Sequence, residues 1–164
     1  NEEVQDVFEP PFIGGGTIED VSYDSFKLVE GPERYEAGTP DIGGAIGLRA
    51  GIEYVSKIGP KRIEKYEREL AKMTIKGLLD VGAEVYGTHD VSKRVGVVSF
   101  NMPGYSPHEV AAYLDEYNIA VRSGHHCCMP LMKKMGINGT VRASYHCYNT
   151  REEVEKMLEV LSEL

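Results

Sequence analysis

The segment TVRASY, residues 140–145, alternates strictly: Val141, Ala143 and Tyr145 fall on one face of an extended chain, Arg142 and Ser144 on the other. A strand that is apolar on one side only belongs to a sheet covered on one side, so the chain must supply helices whose apolar stripes fit that face. It does. Ile63, Tyr66, Leu70 and Met73 form one stripe, with Lys61, Glu64, Lys65, Glu67 and Arg68 as its solvated face, and Gly59-Pro60 marks its start. SPHE at 106–109 is a capping box with Pro107 at the first helical position, and Val110, Tyr113, Leu114 and Tyr117 supply its apolar face. TREE at 150–153 is a second capping box, opening a helix that buries Val154, Met157, Leu158 and Leu161. An earlier helix follows TPD at 39–41, with Ala45, Leu48, Ile52 and Val55 on one stripe.

EVY (84–86), VGVVSF (95–100) and IAV (119–121) read as further short strands, with residues 122–139 as a loop. From residue 60 the order is helix, strand, strand, helix, strand, loop, strand, helix. That order predicts an α/β fold in which helices cover one face of one sheet. The first forty residues are rich in Gly, Pro and polar side chains without clear periodicity. They read as an arm ordered by contact or as the edge of a larger domain, the more so because the sequence starts at Asn1.

Composition narrows the function classes. The 164 residues are 41% hydrophobic and 27% charged, the balance of a globular protein, and contain no apolar run of membrane-spanning length. The acidic start, NEEVQDVFEPPF, is unlike a secretion signal. A net charge of -8 speaks against nucleic acid or an anionic membrane as partner. Three cysteines, two of them adjacent, make no disulfide framework and point to a reducing cytoplasm.

Those adjacent cysteines lie in RSGHHCCMP, residues 122–130, which joins the strand ending at 121 to the strand 140–145. A zinc site needs about four ligands, and His125, His126, Cys127 and Cys128 lack the usual ligand spacing; only His146-Cys147 completes a set. A disulfide between neighbours is strained. Simple packing suits Cys128 and Cys147. Cys127, in a polar loop after a glycine, reads instead as a reactive thiol, which a cationic neighbour would favour as thiolate. Arg122 at the mouth of one strand and Arg142 within the next are expected to aim two guanidiniums at one point near Cys127. Such forks bind carboxylates bidentately, so a carboxylate-bearing small molecule beside a thiol is the inferred ligand.

RSGHHCCMPLM followed by VRASYHCYNTREEV resembles the end of the SUF-type cysteine desulfurases and selenocysteine lyases, class-V, fold-type I pyridoxal phosphate enzymes. PPFIGGG and RYEAGTPDIGGAIGLRAGIEYVSKIG resemble the family's glycine-rich segment and its helix entry, so the resemblance runs from Pro10 to Leu164. It implies residues 1–57 as the carboxy-terminal remnant of a large cofactor-binding domain with a connecting helix. Residues 58–164 are then the small α/β domain carrying the cysteine loop.

By the same resemblance Cys127 is the nucleophile that becomes a persulfide, and Arg142 and Arg122 hold the substrate carboxylate. Thr39 reaches the cofactor phosphate of the partner subunit, although its residue type before a proline equally suits a helix cap. Implied too are L-cysteine or L-selenocysteine as substrate, L-alanine as product, a sulfur-acceptor or iron–sulfur scaffold protein as partner, and a homodimer. No lysine here lies in the family's S-x-H-K setting, so the chain alone is expected to be inactive. Two rival readings are a metal- or thiol-binding module around His125–Cys128 and a fragment serving dimerisation or acceptor docking.

Overall fold

A computed structural model describes residues 7–164. The chain divides into two compact units, the first ending at Tyr54 and the second spanning Val55–Leu164.

The first unit contains an antiparallel hairpin, β1 (Ile18–Val21) and β2 (Phe26–Leu28), then a 3-10 turn over Pro32–Tyr35. The sequence pattern missed this hairpin because its short strands leave Val21 and Phe26 exposed, so no alternation marks them. Helix α1 (Ile42–Ile58) follows, as expected. Asp41 opens it, its Oδ1 accepting the Gly44 N–H at 2.8 Å, so the cap is Asp41 and not Thr39. Its apolar stripe is not buried: Leu48 and Ile52 are exposed, and every residue of α1 is exposed or half-buried.

In the second unit, α2 (Pro60–Asp80) starts at the Gly59-Pro60 punctuation. Strands β3 (Glu84–Tyr86) and β4 (Val97–Asn101) precede α3 (Pro107–Glu116), and β5 (Arg122–Gly124) precedes a short helix α4 (Met129–Met135). Strand β6 (Thr140–Ser144) and α5 (Arg151–Leu161) complete the unit. The sheet order is β3-β4-β6-β5, antiparallel throughout. Both capping boxes are formed, Ser106 with Glu109 and Thr150 with Glu153.

One face of this sheet, with Val98, Phe100, Val141 and Ala143, packs on Ala71, Ile75 and Leu78 of α2, Val110 and Leu114 of α3, and Met157, Val160 and Leu161 of α5. Burying each large side chain of this set stabilises the unit by about 1.5–3 kcal/mol. Helices α2 and α5 meet closely at Gly77, where an added Cβ would lie 2.2 Å from Leu158 Cδ1. Tyr117, expected in the core, is exposed, and Met73 and Leu158 are half-buried. Glu67, expected on the solvated face of α2, is mostly buried and accepts the His146 Nδ1–H at 2.6 Å. Tyr66, on the apolar stripe, donates its Oη–H to Asn149 O at 2.8 Å, so Tyr66 and Glu67 together pin the turn that follows β6.

The predicted strand 119–121 is displaced by three residues. Asn118 adopts a left-handed φ of 59°, and the Ile119 N–H returns to Leu114 O at 3.0 Å, closing α3 instead of entering the sheet. Ile119 and Val121 still contribute apolar surface against the core, which is why they read as a strand. The segment expected to be a loop contains α4.

Candidate active site

The displacement of β5 puts Arg122 directly opposite Arg142 in the antiparallel β5–β6 ladder. Directly opposed residues share a face, so both guanidiniums leave the sheet on the side away from Val141 and Ala143. The cross-strand row continues through Ser99 of β4 to Tyr86 of β3, a polar line across a face that the helices do not cover. Arg142 Nε is buried and has no hydrogen-bond partner among the described residues. A buried guanidinium N–H left unpaired is costly and calls for an acceptor that the described residues do not provide.

The cysteine loop leaves β5 at Gly124 and is held at several points. His108 Nδ1 lies 2.9 Å from Ser123 Oγ. Gly139, entering β6, sits so close to Gly124 that a Cβ on it would be 2.8 Å from the Gly124 carbonyl carbon. The next four residues form a tight turn in which Cys128 N–H donates to His125 O at 2.9 Å. Its central residues, His126 and Cys127, have φ of 51° and 59°. Mirror-image turns of this kind normally take Asn or Gly; other residues there cost about 1–2 kcal/mol each, and such strain clusters at functional sites.

The two imidazoles are committed locally. His125 Nδ1 accepts the Cys127 N–H at 3.1 Å, and His126 Nε2 is 3.0 Å from Thr140 O and 2.9 Å from Thr140 Oγ1. Burial, and then the nearby Arg142 and Arg122 guanidiniums, hold the His126 pKa below the ordinary histidine value, so the ring is neutral at neutral pH. Among the described residues no group of three or more His, Cys, Asp or Glu is placed to hold a metal ion.

All three thiols are free. Cys127 is exposed, and its sulfur makes no hydrogen bond among the described residues. Cys128 is half-buried, and its sulfur donates to His125 O at 3.0 Å. Simple packing does not account for Cys128: the neighbouring Met129 and Leu131 are exposed, and a carbonyl holds the thiol. Cys147 is half-buried in the turn His146–Asn149. Thr39, in the first unit, is exposed, and its hydroxyl makes no hydrogen bond among the described residues. A concavity of about 400 Å³ opens between Ile119, Tyr145 and Lys156. Two of its polar groups have partners: Lys156 Nζ donates to Tyr117 O, and Tyr145 Oη meets Thr74 Oγ1.

The sequence and the fold of the chain match known proteins. The sequence fits the profile of the class-V aminotransferases over residues 1–157. The chain belongs to the class-V aminotransferase family. Within it, the chain is 61% identical over 164 residues to a probable cysteine desulfurase of Pyrococcus abyssi, covering all of this chain and 41% of that protein. It is 44% identical over 167 residues to a probable cysteine desulfurase of Methanothermobacter thermautotrophicus, covering 99% and 41%. Among solved structures, the apo cysteine desulfurase of Thermococcus onnurineus superposes with a TM-score of 0.94 at 61% identity, covering 99% of this chain and 41% of that one. The cysteine desulfurase CsdA of Escherichia coli superposes with a TM-score of 0.90 at 30% identity, covering 99% and 40%. The α/β fold is thus that of class-V enzymes over part of their length, and the chain spans about 41% of the curated relatives it matches.

Proposed function

We propose that the protein of which these residues form part is a pyridoxal phosphate-dependent cysteine desulfurase of the SUF type. Arg142 carries this reading: its buried, unpaired Nε on β6, opposite Arg122 on β5, presents two guanidiniums to one acceptor. The planar fork of each matches a carboxylate, and the neighbouring loop offers the Cys127 thiol. Thr39 fits a phosphate contact because its hydroxyl makes no hydrogen bond among the described residues and helix capping falls to Asp41. On this reading Thr39 serves the cofactor phosphate of the partner subunit of a homodimer, residues 1–57 belong to the large domain and 58–164 to the small one.

When bound, pyridoxal phosphate supplies the electron sink that lets the substrate's carbon–sulfur bond break. Arg142 and Arg122 anchor the L-cysteine carboxylate. The Cys127 sulfur forms a bond to the substrate sulfur as that sulfur leaves carbon; the carbon keeps the electron pair and takes up a proton, giving L-alanine and a Cys127 persulfide. L-Selenocysteine meets the same groups. The persulfide serves a sulfur-acceptor protein, with iron–sulfur cluster assembly as the destination, in the reducing cytoplasm that suits three free thiols. Expressed alone, the 164 residues carry no lysine in the cofactor-binding setting of the family and are inactive. Pyridoxal phosphate with borohydride should then label no single lysine of that fragment, and one specific adduct would contradict this.

The test is made on the full-length holoenzyme. Arg142→Ala removes a bidentate partner from a desolvated carboxylate, a loss of about 2–5 kcal/mol, and should raise KM for L-cysteine roughly 30-fold or more. Arg142→Lys should recover part of this, since an ammonium is a point charge and not a fork. Normal KM in both variants would remove Arg142 from the pocket.

A further inference from the structure

Resting on that reading, we propose that His126 is the positioning residue of Cys127. Its imidazole docks on the Thr140 carbonyl and fixes the strained turn, so that the thiol is held against the strand that carries Arg142.

A carbonyl oxygen only accepts, so the ring nitrogen 3.0 Å from Thr140 O must carry the hydrogen. The ring is therefore the Nε2–H tautomer, with Thr140 Oγ1 at 2.9 Å as a second acceptor. Thr140 is 2% exposed, and a hydrogen bond made in so dry a setting is stronger than one at the surface. The bond joins particular places. Thr140 and Arg142 lie two residues apart on β6 and so share a face, and their ladder partners on β5 are Gly124 and Arg122. The residue before the nucleophile is thus tied to the same strand as the carboxylate-binding guanidinium. Both His126 and Cys127 have positive φ, a conformation neither side chain favours, so a tertiary contact is needed to hold it. Within the turn the other contacts, Cys128 N–H to His125 O and Cys127 N–H to His125 Nδ1, are local to residues 125–128 and do not fix the turn to the sheet. The His126 bond does. Burial first, and then proximity to Arg142 and Arg122, holds the ring's pKa below the ordinary histidine value, so the neutral tautomer persists at neutral pH.

Two measurements on the full-length protein test this. In the holoenzyme, the rate of persulfide formation on Cys127 and the affinity for L-cysteine are compared among His126→Gln, His126→Asn and His126→Gly. Gln can present an N–H donor near the Nε2 position, whereas Asn is too short and Gly has no donor. Gln should retain the wild-type rate within about threefold, while Asn and Gly lose on the order of 10- to 100-fold with cysteine affinity unchanged, as a displacement of about 1 Å would produce. Full activity in Gly would show that only the backbone shape matters. Equal loss in Gln and Asn, or a loss confined to affinity, would likewise overturn the assignment.

The second measurement does not depend on turnover. Imidazole ¹⁵N NMR of the protein at neutral pH, assigned by the signal lost in His126→Gln, should show His126 protonated on Nε2 and not on Nδ1. An Nδ1–H or doubly protonated ring overturns the docking contact whatever the enzyme does with cysteine. A wild-type enzyme that forms no persulfide while His126 shows the Nε2–H tautomer would instead sink the functional reading and leave the contact standing.

Discussion

Cys127 and Cys128 are neighbours with different circumstances. One sulfur is exposed with no hydrogen bond among the described residues; the other is half-buried and donates to His125 O. Access and a free lone pair both favour Cys127 as the attacking group. In the full-length protein, limiting iodoacetamide near neutral pH should modify Cys127 before Cys128 or Cys147, read by peptide mass spectrometry. Cys128→Ser should keep most of the desulfurase activity, because a serine hydroxyl can still donate to the His125 carbonyl. Faster labelling of Cys128, or loss of activity in Cys128→Ser, would move the nucleophile by one residue.

At the scale of elements, the site depends on β5 lying tightly on β6. Gly139→Ala would place a Cβ 2.8 Å from the Gly124 carbonyl carbon, a backbone atom that cannot rotate away. The strands must part where the cysteine loop begins, so the variant should lose about 1–3 kcal/mol in denaturant unfolding. Ser106→Ala and Thr150→Ala should each cost about 1 kcal/mol by removing the hydroxyl that accepts the third helical N–H. The same boxes carry a pH dependence. Hydrogen bonds from Ser106 lower the Glu109 pKa, and those from Thr150 and then Asn149 lower that of Glu153. A depressed folded pKa means stabilisation that is complete above the unfolded value, near 4.3 for Glu, and lost as pH falls through the folded values. The melting temperature should therefore fall on acidification below about pH 4.5, less steeply in a Glu109→Gln/Glu153→Gln double variant. An equal slope in the two proteins would assign the acid sensitivity elsewhere.

For the molecule as a whole, what was legible in the sequence follows the range of the interactions. The capping boxes at Ser106 and Thr150 are readable because both partners lie within three residues. The alternation of TVRASY is readable because its apolar face is buried. The opposition of Arg122 and Arg142 was legible only as two arginines on two strands. Their register depends on the left-handed Asn118, which keeps residues 119–121 out of the sheet. The docking of His126 on Thr140 spans fourteen residues and has no local signal. The apolar residues of α1, including Ile42, Ile46 and Ile52, show the limit of periodicity: it gives a helix and a stripe but not what covers the stripe.

Persulfide formation on Cys127 tests the central claim most directly. The full-length protein, loaded with pyridoxal phosphate, is given a single turnover of L-cysteine, trapped by alkylation and digested for mass spectrometry. The expected result is one extra sulfur on the peptide carrying Cys127, with L-alanine in equal amount, and neither product in Cys127→Ser. Persulfide on Cys128 in the Cys127→Ser protein, or alanine released with no sulfur on either cysteine of the wild type, would contradict the assignment of Cys127 as the sulfur acceptor.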